Sequence, residues 1–272
     1  MQLTQKKSRR GDLLTAAAVA MLLAVMAALL YTGSLTRQVT NMLIPTAVYI
    51  VMAVSLNLVV GLLGELSLGH AGFMSVGLFS GCLVAIALTN TALPLMVRLP
   101  VSMLAGGLTA AVFGLLVGLP TLRLRGDYLA IVTLACGEII KNIITNLRVT
   151  GGALGLNTTA IYAGAKELLP YGAALVLLTV AVMLNLKRSK YGRAIMAIRD
   201  NRIAAESVGL SVTRYKLAVF VIAAFFAGCA GVLYGHSLAN IKAAAFDYNM
   251  SIEILVIVVL GGMGSVSGSV VS

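Results

Sequence analysis

Apolar residues run in long stretches along this chain, and charged residues fall between the stretches instead of alternating with them. A helix needs about 20 apolar residues to cross the hydrocarbon core of a bilayer, and the charges mark off stretches of that size. Asp12 to Arg37 encloses one, Arg37 to Glu65 a second, Glu65 to Arg98 a third and Arg98 to Arg123 a fourth. A fifth, from about Tyr128 to Leu147, contains Glu138 and Lys141. The sixth lies between Glu167 and Lys187, the seventh between Lys216 and Lys242, and the eighth begins after Glu253. The pattern predicts an all-α polytopic membrane bundle of eight spans, with residues 1–272 as a single domain. The first stretch has a basic start like a signal peptide. Its length and the spans that follow it favour an uncleaved first span.

Composition narrows the class. Of 272 residues, 60% are hydrophobic and 11% charged, and the mean hydropathy is +1.00. A soluble domain carries roughly 25% charged residues, and disorder needs low hydrophobicity, so both are excluded. Cys82, Cys136 and Cys229 sit in apolar runs with neither metal-ligand nor disulfide spacing. The net charge of +11 would suggest nucleic acid in a soluble protein. In a membrane protein it sets orientation instead, and no nucleic-acid partner is expected. Lys6, Lys7, Arg9 and Arg10 place the N-terminus in the cytoplasm. Alternate crossing then puts Arg123, Arg125 and the segment Lys187–Lys216 on the same side. Fourteen Lys/Arg fall inside, against six outside: Arg37, Arg98, Lys141, Arg148, Lys166 and Lys242.

Small-xxx-small pairs at Gly77/Gly81, Gly114/Gly118, Gly231/Gly235 and Gly264/Gly268 read as close helix packing. The run from Gly61 to His70 is different, because it packs three further glycines with Glu65, Ser67 and His70 between apolar stretches. It suits either a broken helix beside a polar cavity or a short turn between spans. Glu138 lies roughly 15 Å into the fifth span at 1.5 Å per residue. A carboxylate there costs about 2.5–3.5 kcal/mol unless compensated. Lys141, three residues on, is within pairing reach. The pair is either a group facing a translocation path or a structural ion pair. Catalytic inventory is poor. His70 and His236 are the only histidines, His-Glu-x-x-His and the nucleophile elbow are missing, and no Gly-Lys-Ser/Thr phosphate loop occurs.

The most informative stretch follows the sixth span. Lys187–Lys216 holds eight basic residues and predicts two short helices, Arg193–Arg199 and about Arg202–Val208, broken near Asp200-Asn201. Gly209 would cap the second helix, and Thr213 would cap the next span. Ile195, Ile198 and Ile203 alternate with charges, as in a helix lying across a membrane surface. Such a segment is either a basic loop on anionic headgroups or a docking element that converts a partner's rigid-body motion into movement of the spans.

The residues Tyr191-Gly-Arg-Ala-Ile-Met-Ala-Ile-Arg-Asp-Asn-Arg-Ile-Ala-Ala-Glu-Ser-Val-Gly-Leu210 closely resemble the coupling loop of ABC-importer permeases for branched-chain amino acids, of the LivM type. Four more stretches are similar to that family: Gly64–Phe73, Asp127–Ile140, Thr150–Leu156 and Val259–Gly268. The resemblance implies a permease that forms the translocation path by alternating access and performs no covalent chemistry. Its partners would be a second permease of the LivH type, two cytoplasmic ATPases carrying ATP-Mg, and an external binding protein. The implied location is a bacterial inner or plasma membrane, and the helical arrangement would be similar to the vitamin-B12 importers. On this resemblance Tyr191, Gly192, Arg193, Arg199, Asp200, Ala204, Ala205, Glu206 and Gly209 form the ATPase-coupling loop. Ser67, His70 and Glu138 are the candidates for lining or gating the path. No cofactor or metal is expected in the chain itself.

Two departures stand out. Permeases of this type continue past Gly262–Gly268 into further helix, whereas this sequence stops at Ser272; a shortened sequence and a native chain lacking that helix both stay open. Ala153-Leu154 is apolar where the family often has polar residues or proline. The same machinery carrying urea, amides or another polar solute, and an ion-driven transporter using Glu138 and Lys141, are the alternatives. An intramembrane hydrolase has little support in the His/Ser inventory.

Overall fold

A computed structural model describes residues 17–30, 32, 36–89, 94–122, 124 and 126–272. The helices are α1 (Ala17–Leu30), α2 (Arg37–Asn57), α3 (His70–Thr89), α4 (Leu95–Thr121), α5 (Asp127–Asn146), α6 (Ala165–Arg188), α7 (Lys190–Asp200), α8 (Arg202–Ser207), α9 (Val212–His236), α10 (Tyr248–Leu260) and α11 (Val266–Val271). Seven segments are long and apolar enough to cross a membrane: α2 with its π-helical extension Leu58–Leu63, α3, α4, α5, α6, α9, and Ala243–Leu260, which contains α10. The protein is therefore an all-α multi-pass membrane bundle. The first predicted span falls on α1, whose described part is shorter than a span. Lys6, Lys7, Arg9, Arg10, Asp12, Arg123 and Arg125 lie outside the described residues.

Two boundaries differ from the sequence reading. The last span does not begin after Glu253. Its helix α10 starts with Tyr248, capped by Asp247, whose carboxylate accepts from the Met250 N–H at 3.2 Å. Glu253 thus lies within α10, beside a cavity shared with Tyr49, Tyr234, Asp247 and Asn249. Lys216 likewise falls inside α9, because that helix starts at Val212. Ser211, not Thr213, occupies the N-cap position and makes no side-chain capping bond. At Glu253 and Lys216 a charge taken as the edge of a span sits among polar neighbours inside a helix.

α3, α4 and α9 form one tightly packed layer. Glycine makes it possible. A Cβ on Gly77 of α3 would stand 2.2 Å from the Gly228 Cα of α9, and one on Gly106 of α4 would stand 2.5 Å from the Gly77 carbonyl oxygen. The three backbones touch where side chains would hold them apart, the arrangement expected where no hydrophobic drive separates helix from lipid. The Gly77/Gly81 and Gly231/Gly235 pairs lie on the α3–α9 seam, and Gly114 meets Ala224 of α9. Cys82 and Cys229 are buried as free thiols in the same layer. α2 runs through the middle of the molecule, buried from Val51 to Leu63, and packs on α6, α9, α10 and α11.

At the opposite end from α7 and α8, the segments after α5 and α9 are tied by a two-residue antiparallel ladder. It pairs β1 (Leu156–Asn157) with β2 (Asn240–Ile241).

The run Gly61–His70 is a broken helix. The π turn ends at Gly64, whose φ of 77° is the left-handed conformation that favours glycine. Residues 65–69 are non-helical, and α3 begins at His70, beside Ser55 of α2. Ser55 lies ten residues before Glu65, so α3 starts inside the bundle and not at its α7–α8 end. Non-helical backbone at that depth must be satisfied by protein. The Leu68 N–H donates to Thr133 Oγ1 at 3.1 Å, and the Ala71 N–H to Ser251 Oγ at 3.2 Å.

Candidate functional site

The predicted two-helix element is present. Ser189 caps α7, its hydroxyl accepting from the Gly192 N–H at 3.0 Å. α7 stops at Asn201, whose side chain accepts from the Ala204 N–H at 3.0 Å and so starts α8 in a new direction. Asn201 is both the break and the cap, as its amide favours. Gly209, at φ 87°, closes α8. The Leu210 N–H reaches the Ala205 carbonyl at 3.1 Å, and the Gly209 N–H reaches that of Glu206 at 3.0 Å, the paired bonds of a Schellman cap.

The expected stripe of isoleucines splits in two. Ile195 and Ile198 of α7 are buried, Ile198 in a cluster with Ala205 and Val212, while Ile203 of α8 is 81% exposed. Beyond the break at Asn201, α8 buries Ala205 and presents Ile203 outward. Tyr191 (66% exposed) and Val208 (81% exposed) join Ile203 on the exposed surface. Gly192 is packed against the Leu186 carbonyl, where a Cβ would stand at 2.0 Å. Arg193 Nη1 donates to the Arg188 carbonyl at 3.1 Å. Arg202 and Glu206 pair along α8 at 2.8 Å.

Arg199, although 41% exposed, reaches back to the bundle. Its Nη1 donates to the Gly61 carbonyl at 3.0 Å, its Nε and Nη2 hold Asp200 at 3.1 Å, and its Cγ lies 2.5 Å from where a Cβ on Gly64 would stand. Lys216 of α9 pairs with Glu65, next to that glycine. The lysine side chain is only 5% exposed and the carboxylate 13%. These groups border a cavity of about 420 Å³ lined by Leu63, Gly64, Glu65, Arg199, Arg202 and Glu206, among others.

Ser67 and His70 are both buried on the broken segment. His70 Nε2 shares a 2.8 Å hydrogen bond with Ser55 Oγ. Ser67 Oγ is buried without a hydrogen-bond partner among the described residues. Glu138 is held elsewhere on the same junction. One carboxylate oxygen accepts from the Tyr248 N–H at 3.0 Å, and the other pairs with Lys141. The N-terminus of α10 and the lysine together offset the cost of a carboxylate at that depth. α3 meets α5 one residue away, where a Cβ on Gly72 would stand 2.9 Å from the Gly137 Cα. The starts of α3 and α10 and the middle of α5 therefore converge.

Sequence reasoning missed Asn57 and the Glu65–Lys216 pair. Asn57 is fully buried. Its Nδ2 donates to the Ser265 carbonyl at 3.0 Å and to Ser269 Oγ at 2.8 Å, and its Oδ1 accepts from the Gly264 N–H at 2.8 Å. Lys187 Nζ reaches the Gly264 carbonyl from the other side at 3.0 Å. An uncharged amide inside the second apolar run was the available signal.

The chain is similar to two proteins named high-affinity branched-chain amino acid transport system permease protein LivM. It is 38% identical to that of Salmonella typhimurium over 259 residues and 38% identical to that of Escherichia coli over 253 residues; each match covers 81% of this chain and 57% of the relative. A third relative, the probable branched-chain amino acid transport permease protein LivM of Methanocaldococcus jannaschii, is 30% identical over 58% of this chain and 50% of its own length. The chain thus spans about 57% of the length of these two relatives. No solved structure matches significantly. The family described as branched-chain amino acid transport system / permease component matches residues 38–272, which takes in α2 to α11 with the broken helix and the α7–α8 element, and the chain belongs to that family.

Proposed function

We propose that this chain is the permease subunit of an ATP-driven importer for branched-chain amino acids. It forms half of a translocation path with a second permease of the LivH type. Two cytoplasmic ATPases dock at α7–α8 and hydrolyse ATP-Mg, and an external binding protein delivers the amino acid at the β1–β2 end. The sequence holds no phosphate loop, which fits ATP hydrolysis on separate subunits. The basic α7–α8 element lies on the cytoplasmic side, the orientation that the Lys/Arg asymmetry favours.

The observation that carries the reading is the build of α7–α8. Its inner surface packs through Ile195 and Ile198 and is tied to the bundle by the Arg199–Gly61 hydrogen bond, while Tyr191, Ile203 and Val208 are exposed. An element held firmly on one side and apolar on the other suits a partner's groove, and rigid-body movement of that partner would be passed to the spans. Alternating access then follows if the junction of α3, α5 and α10 opens and closes. Ser67, His70 and Glu138 are the polar groups beside the path.

The test is replacement of residues 190–209 by a flexible linker. Insertion into the membrane persists and co-purification of the ATPases is lost. ATPases retained on the linker variant would refute the docking assignment.

A further inference from the structure

The polar contacts at the α7–α8 end converge on one short piece of chain. Arg199 of α7 donates to the Gly61 carbonyl, at the start of the break, and its stem lies against Gly64. Lys216 of α9, directly after α8, pairs with Glu65, at the end of the π turn. Residues 61–65 are therefore held by two cations, one from α7 and one from α9. From Glu65 the chain has only residues 66–69 before His70 opens α3. An extended chain spans at most about 3.3–3.6 Å per residue, so this short link limits how far residues 61–65 and the start of α3 can move apart.

We infer that the Glu65–Lys216 ion pair is a positioning device for transport. It fastens the non-helical strap of residues 65–69 to the base of α9, so that displacement of α7–α8 draws on the strap and moves the start of α3, with Ser67 and His70. The inference rests on the permease role proposed above and adds the residues through which the drive reaches the path.

Three physical features support it. The pair is withdrawn from solvent, with the lysine side chain 5% and the carboxylate 13% exposed, so salt and water weaken it little. A buried pair adds little stability compared with apolar residues of the same volume, but breaking it on one side is costly. It is therefore better understood as fixing geometry than as holding the fold together. Finally, the flanking elements can yield, because the cavity of about 420 Å³ beside the pair leaves room for α8 and Arg202 to shift. Glu65 Oε2 and Arg202 Nη1 both border that cavity, buried and without hydrogen-bond partners among the described residues.

The experiment uses the full complex, with both permeases, the ATPases and the binding protein, in proteoliposomes. It measures radiolabelled leucine uptake and ATP hydrolysis together, for wild type, Lys216→Met, the double variant Glu65→Gln/Lys216→Met and the exchanged pair Glu65→Lys/Lys216→Glu. Lys216→Met lowers uptake by about tenfold or more while hydrolysis stays within about twofold, so ATP consumed per leucine rises. The neutral double variant folds and shows the same loss of coupling. The exchanged pair returns the ratio to within about threefold of wild type. Uptake and hydrolysis falling in proportion, an unchanged ratio in the neutral double variant, or no recovery on exchange would each overturn the inference. Absence of ATP-driven leucine uptake by the wild-type complex would instead overturn the permease role itself.

Discussion

Asn57 Nδ2 lies 2.8 Å from Ser269 Oγ, and this contact joins the end of α2 to α11 across almost the whole length of the chain. The same side chain holds the Gly264 N–H and the Ser265 carbonyl. The turn between α10 and α11 is thus built around one buried amide. Asn57→Ala leaves these groups without their partner and costs roughly 2–4 kcal/mol. Thermal unfolding in detergent checks it: the midpoint falls by several degrees, and an unchanged midpoint contradicts the account.

Gly77 and Gly228 set the separation of α3 and α9. With a Cβ 2.2 Å from backbone, no rotamer change relieves Gly77→Ala. The helices must part, at a cost of about 1–3 kcal/mol. Gly164, where an added Cβ meets nothing within 4 Å, is the control. Gly164→Ser leaves the unfolding midpoint unchanged or slightly raised, since Gly164 is the N-cap of α6 and serine caps well. Equal effects at the two sites would show that the close approach is not limiting.

Ile203 and Val208 are both 81% exposed and support no packing within the chain. Ile203→Glu/Val208→Glu shifts stability by no more than about 0.5 kcal/mol per site. It reduces ATPase co-purification sharply, because charged groups meet an apolar groove. Normal ATPase recovery with this variant would move the docking surface elsewhere.

Glu138 is tied to both Lys141 and the Tyr248 N–H. Glu138→Gln keeps an acceptor for the amide and removes the charge. Insertion persists, and uptake falls by roughly three- to tenfold if the charge serves the path. Wild-type uptake would reduce Glu138 to a structural anchor for α10.

Much of this was legible in the sequence, and the gaps have a common cause. Long apolar runs specify spans because the hydrocarbon core demands them, and the α7–α8 element was readable because its signals are local: Asn201 as break and cap, Gly209 as stop. The family resemblance in the same stretch pointed to its partner. Charges as span markers failed at Lys216 and Glu253. A charge at the edge of a span and a charge paired inside one look the same along the chain. Lys216 finds Glu65 at a separation of 151 residues, and Asn57 finds Ser269 at 212. Partners that far apart leave no local signature. The Arg199–Gly61 hydrogen bond was hidden for the same reason, since its acceptor is a backbone carbonyl on α2's extension. The break at Gly61–His70 was readable as an irregularity, and the structure resolved it as a helix that restarts deep in the bundle.

The central claim is that this chain moves branched-chain amino acids using ATP hydrolysed on other subunits. The direct measurement is radiolabelled leucine uptake into proteoliposomes that hold the chain with its sister permease, in the presence and absence of the ATPases, ATP and the binding protein. The account predicts uptake only when all are present, and none with a non-hydrolysable ATP analogue. Uptake by this chain alone, driven by an ion gradient, would contradict it.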